Sequence, residues 1–580
     1  TGLAIIYIII WWIVFFAILP IDVNRNKTER IEGEDPGSPE NPKMFKKFLY
    51  CTGISSVIFM IIYILIKYEY LNMHIDLKLS PSWFHWIWPC AFLLFYIWTM
   101  PENYSEAEDA YDFAFQVEQG TLQDQLGVNR LLALPIFSTL YQFISGVGLE
   151  VRAFTFMVYL NQILAVGSLI LFCRILFDQL VLQHKFSIAK KGSYLGVGLL
   201  GLSYGFWRYA SVPETYMLAI FFLLLAWFFV LRDRVWLGSI FSGMGVLIHL
   251  LNGVPLVIAI GCYYLFQKRW KIAIAHGVVT AAIILAGYGL CWNMLDISGL
   301  GAQHHQLESG WGIKNGIRGI IAFGQCLISG NFLFGFTWVN DSLVALFPSR
   351  MLSEEQFMAN HMPTWLPWVG VVSLVSFFVS LVRAFFSVRS SIFRTPFMGA
   401  LVVWLLAYVI VILRTEAGSM ELWIMALVPL WFILLHWIHL RWAPILLLCL
   451  LLHNGVAGIF PLRSEQSDYH VVKSAWVLEK SQKGDIICVD YEPILISYLT
   501  YYGEARVINS ASYKADELNQ FILNYDGNVW ALHSFFEPMP AMEWRNEKLF
   551  NRQIMNSKRL KKLFTLNNPD SFGGVYKKQD

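Results

Sequence analysis

The chain has 580 residues, of which 56% are hydrophobic, 16% aromatic and only 14% charged, and its mean hydropathy is +0.51. That composition is that of a polytopic membrane protein and excludes an ordinary soluble enzyme. A net charge of +2 without a basic stripe excludes a nucleic-acid binder, and eight cysteines without CxxC or CxxH spacing indicate neither a disulfide framework nor a thiolate zinc site.

A bilayer-crossing helix needs roughly 20 apolar residues. Such runs fall at about 2–20, 48–67, 83–100, 152–178, 193–210, 215–231, 235–250, 252–267, 271–294, 365–386, 396–413, 420–438 and 441–461. The first has no basic leader and no small-residue cleavage site, so it reads as an anchor rather than a removable signal. A further apolar stretch, about 317–339, is interrupted by Gly319, Gly324, Gly330 and Gly335.

Loop charge sets the orientation. Basic residues gather in alternate loops: His184, Lys185, Lys190 and Lys191; Arg232 and Arg234; Lys268, Arg269 and Lys271; Arg383, Arg389 and Arg394; His439 and Arg441. Those loops are assigned to the cytoplasm, which makes 101–151, 211–214, the region near 251, 295–364, 414–419 and everything after 461 external. Parity then requires that 317–339 does not cross once, so it is read as a re-entrant or interfacial segment. About thirteen spans result, with an internal N-terminus and an external C-terminus. The connector after the first span fits less well, because it must be external yet carries Arg25, Lys27, Arg30, Lys43, Lys46 and Lys47.

Residues 1–75 are therefore read as a separate two-helix membrane module. Paired Trp11 and Trp12, an LP, and a charged connector with GEDPGSPENP resemble a small alphaproteobacterial family of two-helix membrane proteins of unknown function. The transmembrane core spans 76–461, and a small external α/β domain spans 462–580. In that domain VVKSAWVLEK and KADELNQFILNY read as helices and GDIICVD, ARVINS and GNVWALH as strands, with ILISYLTYYG open to either reading.

The densest acidic patch is PENYSEAEDAYDFAFQVEQG, residues 101–120, with Glu102, Glu106, Glu108, Asp109, Asp112 and Glu118. It follows directly on the apolar run that ends at Met100. The pattern Glu108-Asp109-Ala110-x-x-x-Ala114, continuing to Gly120, resembles the first external loop of the C-type-fold (GT-C) integral-membrane glycosyltransferase superfamily. The likeness extends over about residues 83–580, and SYGFWRYASVPETY and SGMGVLIHLLNG are similar to strings in uncharacterised branches. The resemblance implies a mainly α membrane fold and transfer of a sugar from a polyprenyl-phosphate donor to a glycan, lipid or protein acceptor.

Sugar transfer from a lipid phosphate needs a base for the acceptor hydroxyl and cations or dipoles for the leaving phosphate. Asp109 or Glu108 is the expected base, and Arg130, Arg208 and Arg318 are candidate phosphate partners, because a guanidinium forks onto phosphate oxygens. The plain alternative is a solvated loop acid and arginines that meet lipid headgroups. His249 closes an apolar span, where an ionisable group is costly, though it also suits the last carbonyls of a helix. Glu214 follows Pro213 at a helix start, where the dipole favours a carboxylate whatever its role. Both are held as substrate-binding candidates, with Arg414, which reaches the acceptor groove or pairs with Glu416.

His304, His305 and Glu308 look metal-like, and some members of the resembled superfamily use a divalent cation. Their spacing matches no zinc pattern, so no metal or other cofactor is expected. Tryptophans such as Trp83, Trp86, Trp88, Trp365 and Trp368 sit near span ends, as an interfacial belt does.

The expected function is thus an inverting membrane glycosyltransferase of the inner membrane. Its site and C-terminal domain would face the periplasm, and membrane lipids and a polyprenyl-phosphate sugar would be its partners. The alternative is a catalytically inactive subunit of the same fold in a larger membrane complex, docked through residues 1–75. A transporter is disfavoured, because the ionisable residues collect at span ends and no internal repeat is visible.

Overall fold

The computed structural model describes residues 44–67, 84–105, 107, 109–295, 313–346, 353–386, 395–437, 440–490, 492–536, 556, 558–568 and 574–579, with Tyr7, Trp11, Val14 and Phe15. The connector of the N-terminal module, Glu108, and the cluster His304, His305 and Glu308 lie outside the described residues.

The apolar runs become helices. Helices α1 (Met44–Lys67) and α2 (Phe84–Trp98) precede a short α3 (Ala110–Gln119), α4 (Ala133–Gly146) and the 28-residue α5 (Ala153–Leu180). Next come α6 (Phe186–Gly201), α7 (Tyr204–Ala210), α8 (Tyr216–Val230), α9 (Val235–Ile248), α10 (Leu250–Phe266) and α11 (Trp270–Cys291). Helices α12 (Ile313–Leu327), α13 (Ser353–Asn360), α14 (Leu366–Phe386), α15 (Pro396–Thr415), α16 (Ile424–Trp437) and α17 (Ala443–Leu452) complete the bundle. By length and composition, α5, α11, α14, α15 and the continuous stretch 443–463 can each cross a membrane. Helices α2, α8, α9, α10 and α16 are apolar but shorter.

One large apolar core joins these helices. Trp227, Trp404 and Trp431 are fully buried in it, and Phe172 of α5 meets Phe432 of α16 with ring centroids 4.2 Å apart. At one end of the bundle Arg232 donates to Asp178 at 2.7 Å, tying the turn after α8 to the last turns of α5.

One expected span is broken and the glycine-interrupted stretch is irregular, and in both the freed backbone is satisfied inside the protein. The apolar run 193–210 divides at Leu202–Ser203 into α6 and α7. There Tyr96 Oη donates to the Gly201 carbonyl at 2.9 Å and Asn454 Nδ2 to the Leu202 carbonyl at 2.7 Å. The glycine-interrupted stretch 317–339 is not one helix either. Helix α12 stops at Leu327, and a 3₁₀ turn follows at Asn331–Gly335. Asn454 Oδ1 accepts from the Ser329 amide at 3.0 Å. Irregular backbone at apolar depth persists only where side chains meet it in this way. Helix α12 turns Ile313, Ile317, Ile320 and Ile321 outward and buries Ala322 and Cys326.

The N-terminal module touches the core through a small cluster in which Cys51 and Leu149 are buried beside Trp11, Phe15 and Ile144. Trp11 Nε1 donates to Thr52 Oγ1 at 3.1 Å, so the first run of the module packs on α1.

The C-terminal domain is a five-stranded sheet of order β2-β1-β3-β5-β4. It begins with α18 (Tyr469–Lys480), then β1 (Ile486–Val489), α19 (Pro493–Tyr502), β2 (Arg506–Asn509), α20 (Ala515–Leu523) and β3 (Val529–Leu532). The three strands β1, β2 and β3 run parallel, and β1 and β3 are buried along their whole length, so β1 is apolar on both faces. The open stretch ILISYLTYYG is the helix α19. An antiparallel pair not anticipated from the sequence, β4 (Phe564–Asn568) and β5 (Val575–Lys578), completes the sheet.

This domain sits on the acidic loop. The amides of Glu102 and Asn103 donate to the Leu462 carbonyl at 2.9 Å. Asn103 Nδ2 donates to the Ser467 carbonyl at 2.7 Å, and Asp468 Oδ2 accepts from the Tyr104 amide at 2.8 Å. Further along, Tyr501 Oη donates to Glu118 Oε2 at 2.8 Å and accepts from the Phe154 amide at 3.0 Å. Helix α3 is therefore clamped between α5 and α19.

Candidate active site

Four of the expected site residues converge at the bundle end covered by the C-terminal domain. Asp109 is the residue before α3, but its side chain makes no cap hydrogen bond. Instead Oδ2 accepts from Arg130 Nη2 at 2.7 Å. The Asp109 side chain is 39% exposed and that of Arg130 25%, so the pair lies at an opening rather than in the core.

Arg130 is placed by backbone, not by helix. Its own amide bonds the Gly127 carbonyl at 3.0 Å, closing a tight turn. Leu132 N donates to the Leu247 carbonyl and Leu250 N to the Asn129 carbonyl, both at 2.9 Å. Tyr288 Oη donates to the Val128 carbonyl at 2.7 Å. Those bonds pin the turn across the junction of α9 and α10, and the guanidinium carbon lies 4.6 Å from the centre of the Phe113 ring.

The junction itself is His249. Its extended backbone (φ −154°) separates α9 from α10, and Gly253 lets the two helices meet, since a Cβ there would collide with the Val246 backbone. His249 is 2% exposed and its ring lies 5.4 Å from that of Tyr216. Nδ1 has no hydrogen-bond partner among the described residues.

Glu214 enters from the loop between α7 and α8. Asn161 of α5 donates to the Val212 and Glu214 carbonyls at 2.6 and 2.7 Å and so fixes the loop. The carboxylate is 1% exposed, and neither oxygen has a hydrogen-bond partner of good geometry among the described residues. Burial, then the charges of Glu421 and Asp109, push its carboxyl well above the ordinary range, with Arg130 pulling the other way. Burial thus favours the neutral acid over the carboxylate at Glu214. Next to it, the buried Thr215 hydroxyl also lacks a partner.

Two contributors were missed in the sequence. Glu421, in the turn before α16, acts electrostatically on both Glu214 and Tyr216. Tyr209 lies 3.5 Å through its hydroxyl from Glu421 Oε2. The only sequence signal for Glu421 is an acid opening an apolar run, which also suits a helix start.

The remaining candidates lie elsewhere. Arg208 is buried and donates through Nη2 to the Asn103 carbonyl at 3.0 Å, anchoring the acidic loop. Arg318 is half-buried on α12, and Arg414 is exposed in the last turn of α15. Among the described residues, no three His, Cys, Asp or Glu side chains are placed to hold a metal ion.

The site thus offers one ion-paired carboxylate at an opening, and behind it a buried wall of unsatisfied polar atoms: Arg130 Nη1, Glu214 Oε1 and Oε2, Thr215 Oγ1 and His249 Nδ1. Buried polar atoms are nearly always paired in a folded protein. A polar ligand or water would complete the bonds of these atoms.

A family model described as "Protein of unknown function (DUF1467)" matches residues 1–76. No curated protein matches the chain. Among solved structures, ArnT from Cupriavidus metallidurans bound to undecaprenyl phosphate is 12% identical, covering 86% of this chain and 98% of that one, with a TM-score of 0.42. The apo oligosaccharyltransferase of Archaeoglobus fulgidus is 10% identical, covering 86% and 75%, also at a TM-score of 0.42. At these identities no residue of the site is placed by the comparison.

Proposed function

We propose that the chain is an inverting membrane glycosyltransferase that moves a sugar from a polyprenyl phosphate to a hydroxyl acceptor at the bundle end carrying the C-terminal domain. That end faces the periplasm in this reading. The observation that carries it is the wall of unsatisfied donors behind the Asp109–Arg130 pair. The donor class comes from the likeness of the acidic loop to the C-type-fold glycosyltransferases.

In this scheme Asp109 takes the proton of the acceptor hydroxyl, and the oxygen attacks the anomeric carbon from the face opposite the phosphate. The bond from that carbon to the phosphate oxygen breaks, and its electron pair leaves with the lipid phosphate. Arg130 Nη1, neutral Glu214 and Thr215 supply the hydrogen bonds that hold the departing oxyanion. Neutral donors matter here, because a second anion beside a phosphate would repel it.

Lipids extracted from the purified protein test this, wild type beside Asp109→Asn, by mass spectrometry. A prenyl phosphate in both samples, with its sugar-loaded form accumulating only in the variant, is the expected result, and the added mass names the sugar. Absence of any prenyl phosphate from both overturns the reading.

One feature favours a second reading, an inactive subunit. Helix α1 leaves Val57 and Met60 exposed beyond its small contact with the core. Partner proteins co-purifying in fixed ratio through residues 1–75, together with an empty lipid extract, would support it.

A further inference from the structure

The crossovers of the C-terminal sheet reverse direction within it. From β1 the chain crosses through α19 to β2 on one side, then through α20 to β3 on the other side of β1. Successive connections thus leave the carboxyl ends of β1 and β2 in opposite directions. Parallel sheets bind ligands at such a reversal, outside the carboxyl ends of the strands.

Polar side chains are concentrated at that edge. Asp490 follows β1 and is 3% exposed; Ser510 follows β2, is equally buried, and donates to Asp490 Oδ1. Ser534 follows β3; it is fully buried, and its hydroxyl has no hydrogen-bond partner among the described residues. Glu492 is already neutralised by Lys473, which donates to both its oxygens at 2.7 and 2.8 Å. Among the described residues the edge therefore presents a carboxylate and two hydroxyls, groups that suit sugar hydroxyls.

The edge also adjoins the first site. Ile494, in the first turn of α19, belongs to one apolar cluster with Ala107, Ala110 and Val212. Ala107 and Ala110 flank Asp109, and Val212 lies two residues before Glu214.

We propose that the edge at the carboxyl ends of β1, β2 and β3 binds the hydroxyl face of a neutral glycan, with Asp490, Ser510 and Ser534 as the recognising groups. Its role as the acceptor subsite rests on the transferase reading; the binding itself does not.

The test uses full-length protein in nanodiscs, with the methyl α-glycosides of mannose, glucose and galactose as probes in saturation-transfer NMR. At least one should bind at millimolar concentration. Asp490→Asn and Ser510→Ala should each weaken it about tenfold. Hydrogen exchange on the wild type gives a readout that does not depend on a variant folding. There the bound glycoside should protect segments 492–495, 509–513 and 532–536. No binding of any of the three, binding unaffected by Asp490→Asn, or protection confined to other segments overturns the proposal. If glycoside binding at Asp490 holds while the lipid extract contains no prenyl phosphate, the transferase reading fails and the subsite stands.

Discussion

Arg130 meets Asp109 through one guanidinium terminus, Nη2 to Oδ2 at 2.7 Å, while the other terminus, Nη1, is buried with no partner among the described residues. One end of the cation orients the carboxylate, and in the proposed scheme the other meets the lipid phosphate. A group used at both ends in this way is hard to replace.

Arg130→Met removes both contacts, whereas Arg130→Lys keeps the charge and loses the fork. Both variants should bind the lipid phosphate more weakly, Arg130→Met by about tenfold or more and Arg130→Lys by less. Retention of prenyl phosphate by the purified variants, quantified against wild type, checks the order. Equal retention in all three would remove Arg130 from the phosphate site.

Glu214 supplies a pH test. Its folded carboxyl is raised above its ordinary value of 4.5, first by burial and then by Glu421 and Asp109. The neutral form is thus favoured by folding, so its contribution is fully present below pH 4.5 and is lost as pH rises through the raised value. Glu214→Gln mimics the neutral acid without that loss. Thermal unfolding should show the variant gaining on wild type progressively as pH is taken upward from 5 to 9 (about the range a membrane protein survives in detergent). A constant difference across the range would show that Glu214 is ionised in both states.

His470 gives a test of the same sign in the C-terminal domain. Burial works against its charge, but the partner Glu354 of α13, at 3.2 Å, and then Asp468 and Glu492 raise its folded value above the ordinary 6.5. The contact is fully formed below pH 6.5 and is lost as pH rises through the raised value. His470→Gln should therefore lower the melting temperature at about pH 6 and have progressively less effect as pH is raised towards about 9. Limited proteolysis near α13 should accelerate in wild type over the same rise.

The Lys473–Glu492 pair is 2% and 5% exposed on its two side chains. Lys473→Met leaves a buried carboxylate without its cation, which costs about 3–5 kcal/mol. Adding Glu492→Leu should recover most of that loss, since an apolar pair of similar volume is often neutral or stabilising. Calorimetric unfolding of the single and double variants checks both statements.

The acidic loop, Glu214 and His249 were legible because each puts an ionisable residue beside a long apolar run, where it is costly to keep. Arg130 was legible as a cation near a span end, but so were Arg208, Arg318 and Arg414. What separates them is backbone: the turn at Gly127 aims Arg130 at Asp109, while Arg208 is consumed by the Asn103 carbonyl. No periodicity carries that information. Glu421 was hidden because an acid at a helix start needs no further reason. The interruption of 317–339 was legible in its glycines, but the break at Leu202–Ser203 was not, because Asn454, more than 120 residues away, satisfies the backbone at both. Strands β4 and β5 were missed because FTLNN and VYKK are short and largely polar, with no alternation to read.

The bond from Asn103 to Ser467 joins positions 364 residues apart. During synthesis the acidic loop leaves the ribosome well before the surface that clamps it exists. At about 5–20 residues per second the delay is on the order of tens of seconds, and most of the bundle is inserted meanwhile. The acidic loop thus stays without its clamp in every nascent chain until the C-terminal domain has been made.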